Sequence, residues 1–241
     1  MRHDNLRSMY YIALKDMRTY YLKPPAISWG LVFPAVWILA FYLRNPQSFE
    51  ELIPGLIAMT ILFSTTAAEA VVINFELRVG SLERLLLAPV SFSGVLLGKI
   101  LGGAIFGLIM TTAVTAVSAS VFGLHPHIGY LVLFIILSVA TFSALGAMIS
   151  VSVKEVFEAQ TLLNLPRFIM VFVSGVIYPV TVMPTGLQYF ARVLPLTYTV
   201  SGIRQSLESN LSTAPFDALA LVGFLALFTA LAIRLFRRRF A

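Results

Sequence analysis

The sequence predicts an all-α integral membrane protein with six transmembrane helices. Hydrophobic residues make up 59% of the 241 residues and charged residues only 12%, about half the charged fraction that is usual in soluble domains. Most of the apolar stretches reach the roughly 20 residues that a helix needs to cross a bilayer. The six stretches are Ile27–Leu43, Leu52–Phe75, Val95–Phe122, Ile128–Val153, Phe168–Val182 and Ala218–Leu235.

The lysines and arginines favour one side of these stretches. Fourteen lie in the connections on one side, whereas the opposite connections carry only Arg44, Arg192 and Arg204. Because basic connections stay in the cytoplasm, both chain ends are predicted to be cytoplasmic, in a protein of the cell (cytoplasmic) membrane. The net charge of +6 is assigned to contact with anionic membrane lipid, since the basic residues flank the apolar stretches. No nucleic-acid partner is expected.

Residues 1–241 are predicted to form a single membrane domain, because nothing between the apolar stretches is long enough to fold separately. Residues 1–26 lack the continuous apolar core and cleavage site of a signal peptide. The absence of cysteine excludes a disulfide framework and a thiolate metal site.

Residues 1–23 predict an amphipathic helix in the cytoplasmic membrane interface. Apolar and aromatic residues recur at three- and four-residue intervals up to Tyr20 and Tyr21, which would lie at headgroup depth. Charged residues are expected on the other faces: Arg7, Lys15, Asp16 and Arg18. Such a helix is a structural anchor, or it contributes to gating or partner contact.

Several single residues predict local features of the spans. Pro34 predicts a kink in the first span. The third span has small residues at four-residue spacing, beginning with Gly94 and Gly98, which favours close helix packing rather than chemistry. Lys99 is predicted to extend its ammonium from the inner end of this span toward the interface.

Residues 183–216 are too apolar for a solvated outer connection. We expect a re-entrant pair of short helices, broken at Pro195, in the outer leaflet between spans five and six. Backbone that does not span is tolerated there when it is buried in protein or lines a cavity.

No enzyme activity can be assigned to named residues. The segment Gly94–Ile100 is the nearest approach to a phosphate-binding loop, but it is one residue short and lacks the Ser or Thr that binds magnesium. His125 and His127 flank a proline with no carboxylate nearby in sequence, so no metal site is expected.

Glu69 is an acid well inside a span, and intramembrane ionisable residues suggest function by default. Two interpretations remain open at this point. Glu69 is either a structural glutamate that is hydrogen-bonded to Ser, Thr or Tyr, or a residue with a direct role in transport.

The inner segment 76–92 is the most informative polar stretch. Gly80 and Ser81 predict a helix start with Ser81 as the cap, and Pro89 ends the helix. Leucines form one short apolar face: Leu82, Leu85 and Leu86. That face needs a partner, or else it packs on the chain's own bundle or on lipid.

Two blocks of residues carry a resemblance to a known family. The first consists of Glu76, Gly80, Ser81, Leu82, Glu83, Pro89, Val90, Ser91, Gly98 and Lys99. The second runs from Phe172 through Ser174, Gly175, Tyr178 and Pro179 to Met183–Pro184, Leu194–Tyr198 and Ile203–Arg204. In this order and spacing they resemble the ABC-2 family of ATP-binding-cassette transporter permeases. The apolar Leu77 and Val79 depart from the charged residues that this family often has there.

The resemblance implies a non-catalytic permease that pairs as a dimer on two cytoplasmic ABC ATPase subunits, which would bind the ATP and magnesium. Segment 76–92 would be the cytoplasmic coupling loop, and the re-entrant helices would cap the exit. The coupling residues would be Glu76, Arg78, Gly80, Ser81, Leu82, Glu83, Arg84, Leu85 and Leu86. The transport path or dimer interface would include Phe33, Trp37, Glu69, Phe172, Ser174, Gly175, Tyr178 and Pro179.

The cargo expected from this resemblance is amphipathic or lipophilic, and its direction is outward. The second block looks most like drug-efflux permeases of the daunorubicin-resistance type, and exporters of nodulation factors, polysaccharide or teichoic acid look similar. Two other classes of function remain: a self-sufficient secondary transporter or channel that uses Glu69, and a structural or assembly protein of the membrane.

Overall fold

The computed structural model describes residues 2–44, 49–87, 90–124, 126–208 and 211–240. In these residues it contains helices and short connections, without a strand. The α-helices are α1 Arg2–Asp16, α2 Pro24–Ile27, α3 Phe33–Arg44, α4 Phe49–Arg78, α5 Ser81–Leu86, α6 Phe92–Phe122, α7 Ile128–Ser152, α8 Val156–Val173, α9 Thr185–Ala191, α10 Pro195–Glu208 and α11 Ala214–Phe240. Two π-helical turns, Met17–Tyr21 and Ser28–Val32, and a 3₁₀ turn, Val180–Val182, complete them.

Among the described residues, five helices are long and apolar enough to cross a membrane: α4, α6, α7, α8 and α11. The first predicted stretch forms a shorter apolar helix, Gly30–Leu43. The π-helical turn Ser28–Val32 lies directly before Pro34, where the sequence predicts a kink. The all-helical class is therefore confirmed, while the sixth span and the sidedness stay predictions.

The fifth span begins earlier than predicted. Helix α8 starts at Val156 and ends at Val173, whereas the sequence placed this span at Phe168–Val182. The prediction excluded residues 156–167 from the span because this part of the sequence contains polar side chains, which are typical of a connection. In the helix, Gln160, Asn164 and Arg167 fall on one face and point toward α4. Arg167 therefore lies inside a helix that is long and apolar enough to cross a membrane, rather than in a connection.

Helix α4 is the centre of the bundle. It packs against α6, α7, α8 and α10, and its own isoleucines and Phe63 are fully buried. Helix α7 lies between α4 and α11. Helices α8 and α11 lie at the periphery of the bundle and keep apolar residues exposed, for example Leu165 and Leu219. Such exposure is expected of helices that face lipid or another protein.

The N-terminal helix packs along α6, with Ile12 and Ala13 buried. The sequence predicted Tyr21 at headgroup depth and Asp16 on a face away from the apolar residues, and both predictions are wrong, because the two side chains are fully buried in protein. Tyr21 therefore lies away from the headgroups, and Asp16 faces the bundle. The glycines of α6 make the close approach possible: a Cβ at Gly98 would lie 3.1 Å from Cβ of Ile12. The packing role predicted for these glycines is confirmed.

The outer segment contains the two helices α9 and α10, and Pro195 is the first residue of the second. Leu196, Val200 and Ile203 of α10 are buried, and α10 packs against α4, α7 and α11. Its depth in the membrane stays a prediction.

Gly55 offers a direct test of the α4 packing. A Cβ at this position would lie 2.1 Å from the carbonyl oxygen of Val176, so Gly55→Ala forces backbone apart. We expect a loss of about 1–3 kcal/mol of stability, seen as earlier loss of the monodisperse peak when the detergent-purified protein is heated. Gly223→Ala in α11 is the matched control, since nothing lies within 4 Å of its Cβ position. Equal heat resistance of the two variants would contradict the packing.

Candidate functional site

The predicted coupling segment forms a sharp turn and a short helix. Gly80 adopts a left-handed conformation with φ of 69°, which glycine adopts without strain. Helix α5 follows directly. The predicted helix start is confirmed, but Ser81 is the first helical residue rather than the cap, and its hydroxyl donates to the carbonyl oxygen of Glu76 at 3.4 Å. Pro89 and His125 lie outside the described residues.

The apolar face of α5 packs mainly on the chain's own bundle. Leu82 is fully buried, in a cluster with Val95, Leu96 and Phe236, and Leu85 and Leu86 are half-buried against it. Leu82, one of the predicted coupling residues, is therefore covered by the chain's own bundle and is not exposed to a partner. The exposed residues of the turn and helix are Arg78, Val79, Glu83, Arg84 and Leu87. Leu87 is 87% exposed and Val79 is 52% exposed, so we call these five residues the coupling surface.

Glu76, one of the predicted coupling residues, is buried in an ion network near the C-terminal end of α4. Lys99 Nζ on α6 lies 2.6 Å from Glu76 Oε2 and 3.2 Å from Asp16 Oδ2 on α1. Lys15 completes the network, 3.0 Å from Asp16 Oδ1 and in contact with Glu76. Lys99 is fully buried, so its prediction as a residue that reaches the interface is wrong.

The ion network balances two acids with two cations. Burial raises the pKa of the Asp16 carboxyl, and the Lys99 and Lys15 ammonium groups oppose that shift. The network joins α1, α4 and α6 directly behind α5. Asp16 and Lys99 stand 83 residues apart in the sequence. The sequence does contain one indication of this network: Lys99 lies in a long apolar helix, and a buried lysine needs an acid as its partner.

Glu69 is buried one layer deeper in the bundle. Its Oε1 accepts hydrogen bonds from Ser143 Oγ at 3.1 Å and Tyr21 Oη at 3.4 Å. A Cβ at Gly103 would lie 2.3 Å from the same oxygen, so only glycine leaves room there. Oε2 has no hydrogen-bond partner in the described residues. These contacts match the structural interpretation of Glu69, in which hydroxyl groups hold the carboxyl.

An aromatic cluster forms where α3 meets α4 and α8. It consists of Phe33, Trp37, Phe63, Phe168 and Phe172. The ring centroids of Phe33 and Phe63 are 4.7 Å apart, and those of Trp37 and Phe172 are 5.4 Å apart. The structure therefore brings together three residues predicted for the path or interface, Phe33, Trp37 and Phe172.

The remaining residues predicted for the path lie just beyond α8. Ser174 is buried and Gly175 has φ of 84°. Tyr178 is exposed, and Pro179 precedes the 3₁₀ turn. These four residues lie in the segment that connects α8 to the short helices α9 and α10.

Arg167 was missed as a site residue. It is 1% exposed, and its Nε donates to Thr66 Oγ1 at 2.7 Å. Its Nη1 donates to Asn164 at 3.0 Å and to Gln160 at 3.4 Å, and its carbon Cζ lies 5.6 Å from the Phe63 ring centroid. The spacing of positions 160, 164 and 167 was the available signal, because it places one polar stripe on an otherwise apolar helix.

Within the described ranges, no group of three or more His, Asp or Glu side chains is arranged to hold a metal ion. The site residues thus offer two kinds of contact. One is the exposed coupling surface at the turn and helix α5, and the other is a polar and aromatic region between α3, α4 and α8.

Comparisons with known proteins agree with this arrangement. Residues 7–207 match the family model described as ABC-2 type transporter. The chain is 27% identical to the inner membrane transport permease YadH of Escherichia coli over 219 residues, covering 81% of this chain and 83% of that protein. It is 27% identical over 178 residues to the probable multidrug ABC transporter permease YbhS of Escherichia coli, covering 71% and 47%. Nodulation protein J of Bradyrhizobium diazoefficiens is 29% identical over 163 residues, covering 65% and 61%.

Proposed function

Because the chain belongs to the ABC-2 type transporter family, we propose that it is the membrane-spanning permease subunit of an ABC exporter that is powered by a separate cytoplasmic ATPase. Its cargo is an amphipathic or lipophilic compound, drug-like, lipid or glycan-lipid, that moves outward. Members of this family work with ABC ATPase subunits, and the relatives are named as transport permeases, which are non-catalytic membrane proteins. The name of one relative, a probable multidrug ABC transporter permease, supports this class of cargo.

The observation that carries the proposal is the coupling surface. Val79 and Leu87 are exposed apolar residues, and charged residues surround them. Interfaces commonly have an apolar centre and a charged rim. Buried Leu82 holds α5 against the bundle from behind, so a partner that contacts α5 pushes on the bundle itself.

The ion network provides the route by which this push spreads. Glu76 lies in α4 two residues before its end and contacts Lys99 of α6 and Lys15 of α1. Movement of the α5 turn is therefore passed to α1, α4 and α6 together. Closing of the ATPases would rock these helices and open the path outward, which is a rigid-body switch biased by a partner. ATP and magnesium bind to the ATPase in this scheme, and the permease itself binds no cofactor.

Function requires a homodimer in this proposal. The outer face of α8 and the exposed part of the aromatic cluster supply the contact between the two copies. Phe172 and Tyr178 are 57% and 58% exposed, on the side where a second copy would cover them.

One purification tests the whole proposal. The tagged chain, isolated in mild detergent from its own membranes, should bring with it an ATPase with magnesium-dependent ATP hydrolysis. The mass of the complex should correspond to two permeases and two ATPases. Recovery of a transport-active permease monomer without ATPase would refute the proposal and favour a self-sufficient carrier.

Glu69 separates the exporter from that alternative. Glu69→Gln keeps the size and the acceptor oxygen, so ATP-driven export should persist at a reduced level. Glu69→Leu removes the acceptor of the Tyr21 hydroxyl, whereas Ser143 keeps the carbonyl oxygen of Ile100 at 2.7 Å, and we expect a loss of about 1–3 kcal/mol of stability. Export and heat resistance measured on both variants check this. Complete loss of export in a fully stable Glu69→Gln variant would mean that the carboxyl handles a cation or proton directly.

A further inference from the structure

A buried cation lies between α4 and α8, and no acid among the described residues contacts it. The acceptors that the guanidinium of Arg167 finds there are neutral, on Thr66, Asn164 and Gln160. Its Nη2 is buried and has no hydrogen-bond partner in the described residues. By contrast, Lys99, also fully buried, contacts two carboxylates. Within the part of the chain that the structure describes, the charge of Lys99 is therefore paired with acids, whereas the charge of Arg167 is not.

The position of Arg167 far from the helix ends raises the free-energy cost of its unpaired charge. At 1.5 Å per residue, Arg167 lies about 17 Å from the start of α8, and Thr66 lies about as far from the end of α4. This distance is about half of a hydrocarbon core of roughly 30 Å. A charge at such a depth is expensive and marks a path for ions or substrate when nothing in the protein pairs with it.

The polar stripe continues to the surface of the described chain. Gln160 and Asn164 are half-buried at the edge of the α4–α8 contact, whereas Arg167 is enclosed behind them. Carboxamides at this depth in a span require a polar neighbour, because lipid tails provide none. A polar path therefore leads from half-buried Gln160 and Asn164 at the surface to the buried positive charge of Arg167.

An apolar platform adjoins this charge. Phe168 follows Arg167 in α8, and its ring centroid lies 6.4 Å from that of Phe63, which also contacts the guanidinium. From there the aromatic cluster leads through Phe33 and Trp37 to the exposed Phe172. A ligand with one anionic group and an apolar body fits both parts.

We propose that Arg167, with Asn164 and Gln160, binds the anionic group of an amphiphile whose apolar body lies against the aromatic cluster. The inference rests on the proposed function and deepens it, because it assigns a negative charge to the transported or bound compound. Planar carboxylate, phosphate and sulfate groups all accept the paired N–H donors of a guanidinium. The anion reaches Nη2 when α4 and α8 separate.

The test measures binding to the permease alone, in phosphatidylcholine nanodiscs. The chain has two tryptophans, so a Trp29→Phe background leaves Trp37 as the reporter next to the site. Two bromine-tailed probes quench its fluorescence, 12-bromododecyl sulfate and 12-bromododecyltrimethylammonium, which differ in the sign of the head group. The wild-type chain should bind the sulfate more tightly than the cation.

Arg167→Gln should raise the half-saturating concentration of the sulfate about ten- to a hundredfold, the size of a lost charge-assisted hydrogen bond. Quenching by the trimethylammonium probe should not differ between the two proteins. Arg192→Gln is the matched control, because Arg192 lies in the outer segment against the Tyr189 ring, and it should bind both probes as the wild-type chain does. Arg167→Lys keeps the charge and should keep the preference for sulfate.

Equal affinity of the wild-type chain for both probes would overturn the proposal. A sulfate preference that survives in folded Arg167→Gln would also overturn it. Should that variant fail to fold, Asn164→Leu decides, because it removes one proposed contact at a half-buried position and keeps the charge. An unchanged half-saturating concentration of the sulfate in Asn164→Leu would then overturn the proposal. Discs with added phosphatidylglycerol identify the source: competition points to a lipid headgroup, and its absence points to transported cargo. No ATPase takes part, so a negative result here leaves the co-purification test of the exporter intact.

Discussion

Lys99→Met should be among the most destabilising single substitutions in this protein. The change leaves Asp16 and Glu76 buried with only the half-exposed Lys15 between them. Breaking a buried ion pair by removing one partner costs about 3–5 kcal/mol, because the other charge stays buried. We expect the purified variant to lose its monodisperse peak at a markedly lower temperature, or to fail to accumulate in the membrane.

A second substitution distinguishes charge imbalance from lost packing. Lys99→Met with Asp16→Asn removes one cation and one acid, so the Lys15–Glu76 pair stays balanced. Balanced replacement of buried ions is often neutral, and most of the lost stability should return. Lys23→Met, at an exposed lysine, is the control for the loss of a positive charge. A stable Lys99→Met variant, or a double variant no better than the single one, would refute the ion network.

Val79→Asp together with Leu87→Asp should release the ATPase and abolish export. Both side chains are exposed apolar members of the coupling surface, where a central contact is commonly worth about 2 kcal/mol or more. Loss of even one such contact weakens binding roughly thirtyfold. The measurement is the ATPase recovered per permease after affinity purification, with the temperature of unfolding measured in parallel.

The controls follow from the burial of α5. Leu82→Asp puts a charge into the bundle, so it should lower the unfolding temperature as well as ATPase recovery. Val182→Asp, at an exposed residue of the outer segment, should change neither. Arg84→Ala at the rim should weaken recovery by less than tenfold, and less still at high salt. Full ATPase recovery by the Val79 and Leu87 double variant would remove α5 as the docking helix.

Local signals in the sequence were enough to predict the all-helical class and the place of most helices. Apolar runs near 20 residues predict membrane-crossing helices because the bilayer requires that length, and the described residues contain five helices that are long and apolar enough. Four-residue spacing of glycines predicted close packing of α6, and Gly80 with Ser81 predicted the start of α5. These are local signals, read within one or two helical turns, and local hydrogen bonding and lipid contact are enough to produce them.

Which polar and apolar residues face inward depends on the packing of the whole bundle. Lys99 is buried because Asp16 and Glu76 meet it from two other helices. Leu82 is buried, and Leu87 exposed, because α5 packs against α4 and α6.

Arg167 shows the same limit of the sequence, since Thr66, its partner on α4, stands 101 residues away in the chain. Periodicity defines the faces of a helix, but the neighbour that covers each face is chosen by the packing of the whole bundle. The free energy of a buried charge depends on that neighbour, so the roles of Lys99, Leu82 and Arg167 could not be read from their local sequence.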